Sequence, residues 1–307
     1  MISIQPFLFQ ERIPSIKITN GIIDLIVSTA FGPRILFFGF CGGPNEFFLK
    51  QDDLEQYAPD DTFRIYGGHR LWTAPENLQT TYFPENQPLE WEQIEDTLHI
   101  RSNAKAGNLV EKGITIRMQP DAPVLELTHS VRNCNAWELR YAPWALSVMV
   151  SGGLAVLPLP ARGQHDGNLL PNGSLVFWAY TNFADPRWRY GFEYLRIQQD
   201  PLICEPLKVG LAAESGWLGY ANHGHFFAKQ SSIIPGANYP DRGTPLQIYL
   251  DADILELETM GPLQHVPADA ALDHTETWVL LDQVDVPQND ADINTKILPL
   301  LQKYLKF

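Results

Sequence analysis

Cysteine is scarce in this chain of 307 residues, and its three copies are widely separated. They stand at Cys41, Cys134 and Cys204, an odd number with no CxxC spacing. This pattern gives no support to a disulfide framework or a zinc cage, since both need paired or closely spaced cysteines. We expect buried thiols in a reducing compartment.

Positive charge is also in short supply. Lys and Arg number 22 against 36 Asp and Glu, which gives a net charge of −14 and a pI near 4.9. Phosphate backbones and anionic lipid surfaces repel such a chain, so we expect no nucleic acid and no membrane partner. The amino terminus lacks a basic region followed by an apolar one, and no apolar run is long enough to span a bilayer. A cytoplasmic location is the expectation.

Several catalytic motifs are missing from the sequence. It contains no GxSxG, no P-loop, no GxGxxG and no HExxH. The corresponding hydrolase, nucleotide-binding and zinc-protease classes therefore lose their usual support. With 45% hydrophobic and 19% charged residues, the composition is that of an ordinary globular protein with a substantial core.

Short runs rich in Val, Ile, Phe, Tyr and Trp, separated by Gly, Pro, Asn and Asp, recur from residue 14 to residue 281. About sixteen of them are typical of strands, and none is a convincing long helix. The candidate strands are Ile22–Val27, Arg34–Phe40, Glu46–Leu49, Leu89–Ile94, Thr97–Ser102, Gly113–Met118, Val124–Val131, Glu138–Val150, Leu175–Ala179, Glu193–Gln198, Lys208–Ala213, Trp217–Ala221, His225–Lys229, Gln247–Leu250, Ile254–Glu258 and His274–Leu281. So many strands without a βαβ rhythm predict an all-β fold, a large antiparallel sandwich or barrel. Similar composition on both sides of each Pro-rich connection, such as residues 157–160, favours loops within one domain over residues 1–307.

The carboxyl end is the exception to this β pattern. A short helix over about residues 290–305 is predicted, with Asp290 or Asp292 as its cap and Pro299 as a bend. Its apolar stripe consists of Ile293, Ile297, Leu301, Tyr304 and Leu305. Such a stripe indicates a helix packed on the sheet, without chemistry of its own.

The densest polar chemistry lies in the segment Tyr66–Glu76, which reads YGGHRLWTAPE. Its paired glycines allow a sharp turn or a close approach of the backbone to a ligand. If the residues after them are extended, His69 and Leu71 share one face while Arg70 and Trp72 share the other. An indole can cover the apolar face of a sugar, and a guanidinium can donate paired hydrogen bonds to hydroxyls or carboxylates. The segment predicts a sugar site; the alternative is an Arg–Trp stack that only stiffens a loop.

A second acidic candidate lies near the carboxyl end, where Glu256 and Glu258 are two residues apart on a predicted strand. Their carboxylates should project from one face about 7 Å apart, with Leu255 and Leu257 facing the core. Paired carboxylates at a loop edge can perform general acid and base work on a sugar, because one can be held ionised while its neighbour tunes it. Two glutamates on a solvated sheet face are the alternative.

Three groups of histidine and aromatic residues complete the candidates. The run His223-Gly224-His225 has a spacing seen in metal sites, but no acidic residue lies nearby at ligand spacing, so a hairpin turn is the better interpretation. His129 is in phase with apolar neighbours, which indicates a core histidine. Trp144 and Tyr141 on either side of Pro143 are predicted to form a wall of the sugar pocket.

Three segments together carry a family resemblance. Tyr66–Glu76, Ala142–Leu146 (APWAL) and Leu255–Pro262 (LELETMGP) resemble an uncharacterised bacterial family within the galactose mutarotase-like superfamily. The resemblance covers most of residues 14–281. It implies the large antiparallel β-supersandwich of aldose 1-epimerases and their relatives.

The same resemblance implies roles for individual residues. Aldose 1-epimerases place their catalytic base in a Leu-Glu-Thr-Gln context, which Leu257–Met260 matches except at its last position, so Glu258 is the implied base. His69 and Arg70 resemble in type the histidine and arginine that contact the sugar. The family's general-acid histidine has no counterpart in Tyr141–Ala145, so His69, His129 or another residue replaces it, or the protein binds sugar without turning it over.

These observations favour a carbohydrate-recognising protein with aldose 1-epimerase-like chemistry. Glu258, His69 and Arg70 are the predicted catalytic residues, and no cofactor and no metal are expected, because proton transfers alone make the reaction. The predicted substrate-binding residues are Trp72, Glu76, Trp144, Tyr141, Glu256 and Lys229. Two alternatives are a non-catalytic carbohydrate-binding module and a glycan-cleaving enzyme that pairs Glu256 or Glu76 with Glu258. The expected partner is a small-molecule carbohydrate, and the expected assembly is a monomer or homodimer.

Overall fold

The computed structural model describes residues 1–103, 110–167 and 169–307, and these contain twenty-one β-strands and little helix. The strands are β1 (Ser3–Phe9), β2 (Ile13–Thr19), β3 (Ile23–Ser28), β4 (Arg34–Phe40), β5 (His69–Ala74), β6 (Glu90–Ile94), β7 (Thr97–Arg101), β8 (Val110–Met118), β9 (Val124–Asn133), β10 (Leu139–Met149), β11 (Leu154–Pro158), β12 (Leu175–Phe177), β13 (Trp188–Tyr190), β14 (Tyr194–Gln198), β15 (Leu207–Leu211), β16 (Trp217–Asn222), β17 (His225–Ser231), β18 (Leu246–Leu250), β19 (Leu255–Met260), β20 (Gln264–Val266) and β21 (Ala271–Leu281). A short helix, α1 (Gln51–Glu55), follows β4, and Pro240–Gly243 forms a turn before β18 in which Asp241 and Arg242 have positive φ. The all-β prediction is confirmed.

The strands form two antiparallel sheets. The first has the order β1-β2-β3-β4-β5-β10-β19-β18-β15-β12, with β20 paired to β10, and the second has the order β13-β14-β11-β16-β17-β21-β9-β8-β7-β6. The largest hydrophobic cluster draws residues from both sheets, among them Leu25 and Leu257 of the first and Leu127 and Trp278 of the second. The sheets therefore pack face to face as a sandwich, and β5, β10 and β19 lie side by side near the middle of the first sheet.

Alternation along β19 sorts its residues as predicted. Leu255 and Leu257 are fully buried in the cluster between the sheets. Glu256 and Glu258 project from the opposite side of the first sheet, which we call its outer face, because successive side chains of a strand point to opposite faces. The side that faces the second sheet is its inner face.

The carboxyl-terminal helix, α2, consists of an α-helical turn at Asp290–Asp292, a π-helical stretch at Ile293–Ile297 and a second α-helical turn at Leu298–Leu301. Its stripe of Ile293, Ile297, Leu301 and Leu305 packs against residues of β16, β17 and β21 on the outside of the second sheet, as predicted. The cap differs from the prediction: the side chain of Asn289, and not an aspartate, accepts a hydrogen bond from the backbone N–H of Asp292 at 3.0 Å. The helix also ends earlier than expected, and the π-helical stretch ends two residues before Pro299, which cannot donate a backbone hydrogen bond.

Three local predictions are wrong. The Pro-rich segment at residues 157–160 is not entirely loop, because β11 runs to Pro158, where a proline is tolerated at the end of a strand. The predicted strand at Glu46–Leu49 makes only isolated bridges. The thiols of Cys41 and Cys204 are exposed and not buried, and Cys134 is half-buried. In the described parts of the chain, no helix is long and apolar enough to cross a membrane.

Candidate functional site

Neighbouring strands of the first sheet align a set of polar and aromatic side chains on its outer face. Leu146 of β10 pairs with Arg70 of β5 on one side and with Glu258 of β19 on the other. One step along the strands, Trp144 pairs with Trp72 and with Met260. We call the resulting group the outer cluster; it consists of Arg70, Trp72, Trp144, Lys208, Glu256 and Glu258.

Glu258 is the best-defined member of the outer cluster. Its side chain is fully buried, and its Oε2 accepts hydrogen bonds from Trp144 Nε1 at 2.8 Å and from Lys208 Nζ at 3.0 Å. Its Oε1 has no hydrogen-bond partner among the described residues. Burial raises the pKa of Glu258 to about 7, against the lowering effect of Lys208 and with a smaller raising effect of Glu256. Near neutral pH this carboxylate can therefore both accept and return a proton.

Arg70 lies on the same face with part of its donor set unused. Its Nη2 donates to Glu256 Oε1 at 2.7 Å, and its guanidinium lies over the ring of Trp72, 3.9 Å from the ring centre. Nε and Nη1 are buried and have no partner within the described chain. A buried N–H without an acceptor costs free energy, so these donors favour the binding of an oxygen-rich ligand.

Aromatic rings surround the two carboxylates. The rings of Trp72 and Trp144 meet edge to face at 5.3 Å, and Tyr82 packs against Trp72 at 5.4 Å. The Tyr82 hydroxyl donates a short hydrogen bond to Glu76, which places that carboxylate beside the outer cluster. Lys208 Nζ lies 4.8 Å from the ring centre of Trp144 and 4.9 Å from that of Trp178. A sugar presents apolar C–H faces and polar hydroxyl groups, and aromatic rings with polar groups between them can bind both.

A second polar group lies between the sheets, behind the outer cluster. We call it the inner cluster; it consists of His69, His129, Ser147, Lys229, Thr259, His274, Glu276 and Trp278. All of these side chains are buried. Lys229 Nζ and Glu276 Oε1 form an ion pair at 2.9 Å, and Trp278 Nε1 donates to Glu276 Oε2 at 2.8 Å.

The hydrogen bonds of the inner cluster assign its histidine tautomers. His129 Nδ1 lies 3.0 Å from the carbonyl oxygen of His274, which can only accept, so this nitrogen carries the hydrogen. His129 Nε2 must then accept from His69 Nε2 at 2.7 Å, and His69 Nδ1 accepts from the Ser147 hydroxyl at 2.9 Å. Burial lowers the pKa of His69, well below its ordinary value, and that of His129, although Glu276 opposes the effect. Both rings are therefore neutral.

One group of the inner cluster has the spacing of a metal site. It consists of His69, His129 and Glu276. The fit is poor, because the two Nε2 atoms are already joined by a hydrogen bond and Glu276 is already bound by Lys229 and Trp278. A buried ammonium beside the site would also repel a cation. At the other histidine pair, His223 and Gly224 have φ values of 55° and 78° and connect β16 to β17, so this segment is the predicted hairpin turn.

The structure brings together five of the predicted site residues and separates three others from them. Arg70, Trp72, Trp144, Glu256 and Glu258 are all members of the outer cluster, and Glu76 lies beside it. His69 and Lys229 belong to the inner cluster, on the other side of the first sheet. Tyr141 also points inward, where its hydroxyl donates to the carbonyl of Val131 at 2.9 Å. Strand alternation explains this separation, since Arg70 is one position from His69 on β5 and Trp144 is three positions from Tyr141 on β10.

Four residues at this site were not predicted from the sequence. Lys208 is a member of the outer cluster, and Tyr82 and Trp178 contact it. Tyr180 is partly exposed, and its pKa is raised by burial and, to a smaller extent, by Glu258. Lys208 did carry a signal, because it stands between the apolar Leu207 and Val209 on a predicted strand. Its contact with Glu258 depends on strand order, which the sequence does not show.

Comparison with solved structures gives the same fold. The chain matches a candidate aldose 1-epimerase from Klebsiella pneumoniae with a TM-score of 0.61 and 12% identity, over 96% of this chain and 83% of that one. It matches a galactose mutarotase-like protein from Lactobacillus casei with a TM-score of 0.55 and 10% identity, over 87% of this chain and 99% of that one. The Slr1438 protein of Synechocystis gives 0.55 and 13%, over 92% and 96%. No family model and no curated protein sequence matches. The protein thus has the galactose mutarotase-like fold, a fold that it shares with these proteins.

Proposed function

We propose that this protein is an aldose 1-epimerase-like isomerase that interconverts the anomers of a sugar. The observation that carries the proposal is the state of Glu258: a buried carboxylate with a pKa raised to about 7, one oxygen fixed by Trp144 and Lys208, and the other oxygen unpaired. A general base is most effective when its pKa lies near the working pH and its orientation is fixed.

The remaining members of the outer cluster suit a sugar ring. Trp72 and Trp144 offer apolar surface to the C–H faces of the ring, and the unpaired donors of Arg70 can bind its hydroxyls or ring oxygen. In the proposed reaction Glu258 Oε1 removes the proton of the C1 hydroxyl, and the C1–O5 bond breaks as O5 takes a proton from an acid. The C1–C2 bond then rotates, and the ring closes on the other face as both protons return. Proton transfers alone accomplish this reaction.

A glycan-cleaving reaction has less support from the same geometry. It would need a second free carboxyl group to act with Glu258, whereas Glu256 is engaged by Arg70 and Glu76 is engaged by Tyr82. A protein that binds sugar without converting it remains the rival for the experiment to distinguish.

Proton NMR of anomeric exchange tests the proposal. Freshly dissolved aldoses and aldose phosphates are followed with wild type, with Glu258→Gln and with Glu126→Gln, which makes the same change at an exposed strand position of the second sheet. We expect wild type and Glu126→Gln to accelerate the exchange of at least one sugar, and Glu258→Gln to lose the acceleration. Line broadening of a sugar without acceleration by wild type would contradict the proposal and indicate a binding protein.

A further inference from the structure

The proposed reaction needs a proton donor for the ring oxygen as well as a base for the C1 hydroxyl. We infer that Lys208 is this general acid and that it works as a pair with Glu258. The inference depends on the proposed function, because it assigns the second proton transfer of the same reaction. It concerns a residue that neither the family resemblance nor the sequence motifs identified.

The position of Lys208 is the first line of support. Lys208 lies on β15, two strands from β19. It pairs with Tyr249 of β18, which in turn pairs with Glu256 of β19. Its Nζ is 3.0 Å from Glu258 Oε2, and the free Oε1 belongs to the same carboxylate. The O1 and ring oxygen of a sugar are bonded to one carbon atom, so the base and the acid of this reaction must lie side by side, as the Glu258 carboxylate and Lys208 Nζ do.

The surroundings of Lys208 keep its ammonium out of water. The side chain is 4% exposed and lies between the rings of Trp144 and Trp178. Burying an ammonium is costly unless it is paired, and a structural role could be filled by an apolar residue at this position. The pair with Glu258 therefore holds the charge of Lys208 beside the carboxylate that is the proposed base.

Other proton donors near Glu258 fit less well. An arginine does not release its proton in proteins, so Arg70 can orient the ring oxygen but cannot protonate it. Tyr82 already donates to Glu76, and burial together with Glu76 raises its pKa. Burial, together with Glu258, also raises the pKa of Tyr180. The buried histidines His69, His129 and His274 all lie on the inner side of the sheet.

The proton balance of the step is simple. As Glu258 Oε1 takes the proton from O1, the O1–C1 bond becomes a carbonyl, the C1–O5 bond breaks, and O5 takes a proton from Lys208 Nζ. The open-chain aldehyde then lies beside a neutral carboxylic acid and a neutral amine. Ring closure reverses both transfers on the opposite face of C1. A carboxylate and an ammonium are converted into two neutral groups, so no net charge develops in a site shielded from water.

Two substitutions separate proton donation from charge. Lys208→Arg keeps the positive charge and the hydrogen bond to Glu258 but cannot release a proton. Lys208→Ala removes both and leaves space for an added amine. Lys303→Ala, at an exposed position of the carboxyl terminus, is the control for the mutation and for the amines. Circular dichroism establishes that each variant is folded. If Lys208→Ala does not fold, Lys208→Arg alone still tests the assignment.

We expect both Lys208 variants to lower kcat for anomeric exchange by about 10²- to 10⁴-fold, the usual contribution of a general acid, with a smaller change in KM. Ethylamine and its less basic fluorinated analogues should restore activity to Lys208→Ala in an order that follows their pKa values, and should not affect Lys303→Ala. Near-wild-type kcat in Lys208→Arg, or no restoration by amines, would overturn the assignment while leaving the proposed function intact. Absence of exchange in wild type would overturn both.

Discussion

Replacing Trp144 with phenylalanine should raise the pKa of Glu258 further. The indole Nε1 donates to Glu258 Oε2 at 2.8 Å, and phenylalanine fills most of the same space without a donor. A hydrogen bond to a charged group contributes about 1.5–3 kcal/mol, and 1.36 kcal/mol corresponds to one pKa unit. Because the lost bond stabilises the ionised form, the pKa of Glu258 should rise by about 1–2 units from its value near 7.

The measurement is a pH titration of glutamate side-chain carboxyl carbons by ¹³C NMR. The signal of Glu258 is identified by its absence in Glu258→Gln, so the assay does not depend on activity. Trp91→Phe, at a partly exposed tryptophan of β6, is the matched control and should leave this signal unchanged. An unchanged or lowered pKa of Glu258 in Trp144→Phe would refute the assignment of this hydrogen bond as a determinant of the base.

Two stability predictions follow from the same contacts. Folding raises the pKa of Glu258 from 4.5 to about 7, so its contribution to stability is present below pH 4.5 and is lost as the pH rises through 7. In urea unfolding, wild type should lose about 3 kcal/mol of stability relative to Glu258→Gln between pH 4.5 and pH 8. Parallel dependence of the two stabilities on pH would contradict this prediction. Lys229→Met leaves Glu276 buried without its counter-ion and should lower the free energy of unfolding by about 3–5 kcal/mol. Lys296→Met removes one partner of an exposed ion pair and should change the free energy of unfolding little. An equal loss of unfolding free energy in the two variants would contradict the prediction.

Local alternation was sufficient to predict which side chains share a face. On β19 the leucines and glutamates differ so strongly in polarity that their faces follow from the sequence alone, and the same reasoning separated Arg70 from His69 on β5. The helical stripe beginning at Ile293 was equally clear, because an apolar stripe needs only local spacing.

Contacts between distant strands were beyond the reach of the sequence. Lys208 and Glu258 meet because β18 lies between β15 and β19, and strand order within a sheet is set by the whole chain. The inner cluster likewise needs His69 from one sheet and His129 from the other. Pro158 illustrates a different limit, because a proline at the last residue of a strand and a proline in a loop have the same local sequence signal.

The outer and inner clusters have a further consequence for strand pairing during folding. In most strands a shift of one residue is prevented because it would move apolar side chains into water. On β5 both faces carry polar residues, so this discrimination is weaker. A one-residue shift would instead move the guanidinium of Arg70 between the sheets and away from Glu256, and would leave that carboxylate on the outer face without its counter-ion. The charges that form the site thus also exclude the wrong alignment of the strand that carries them.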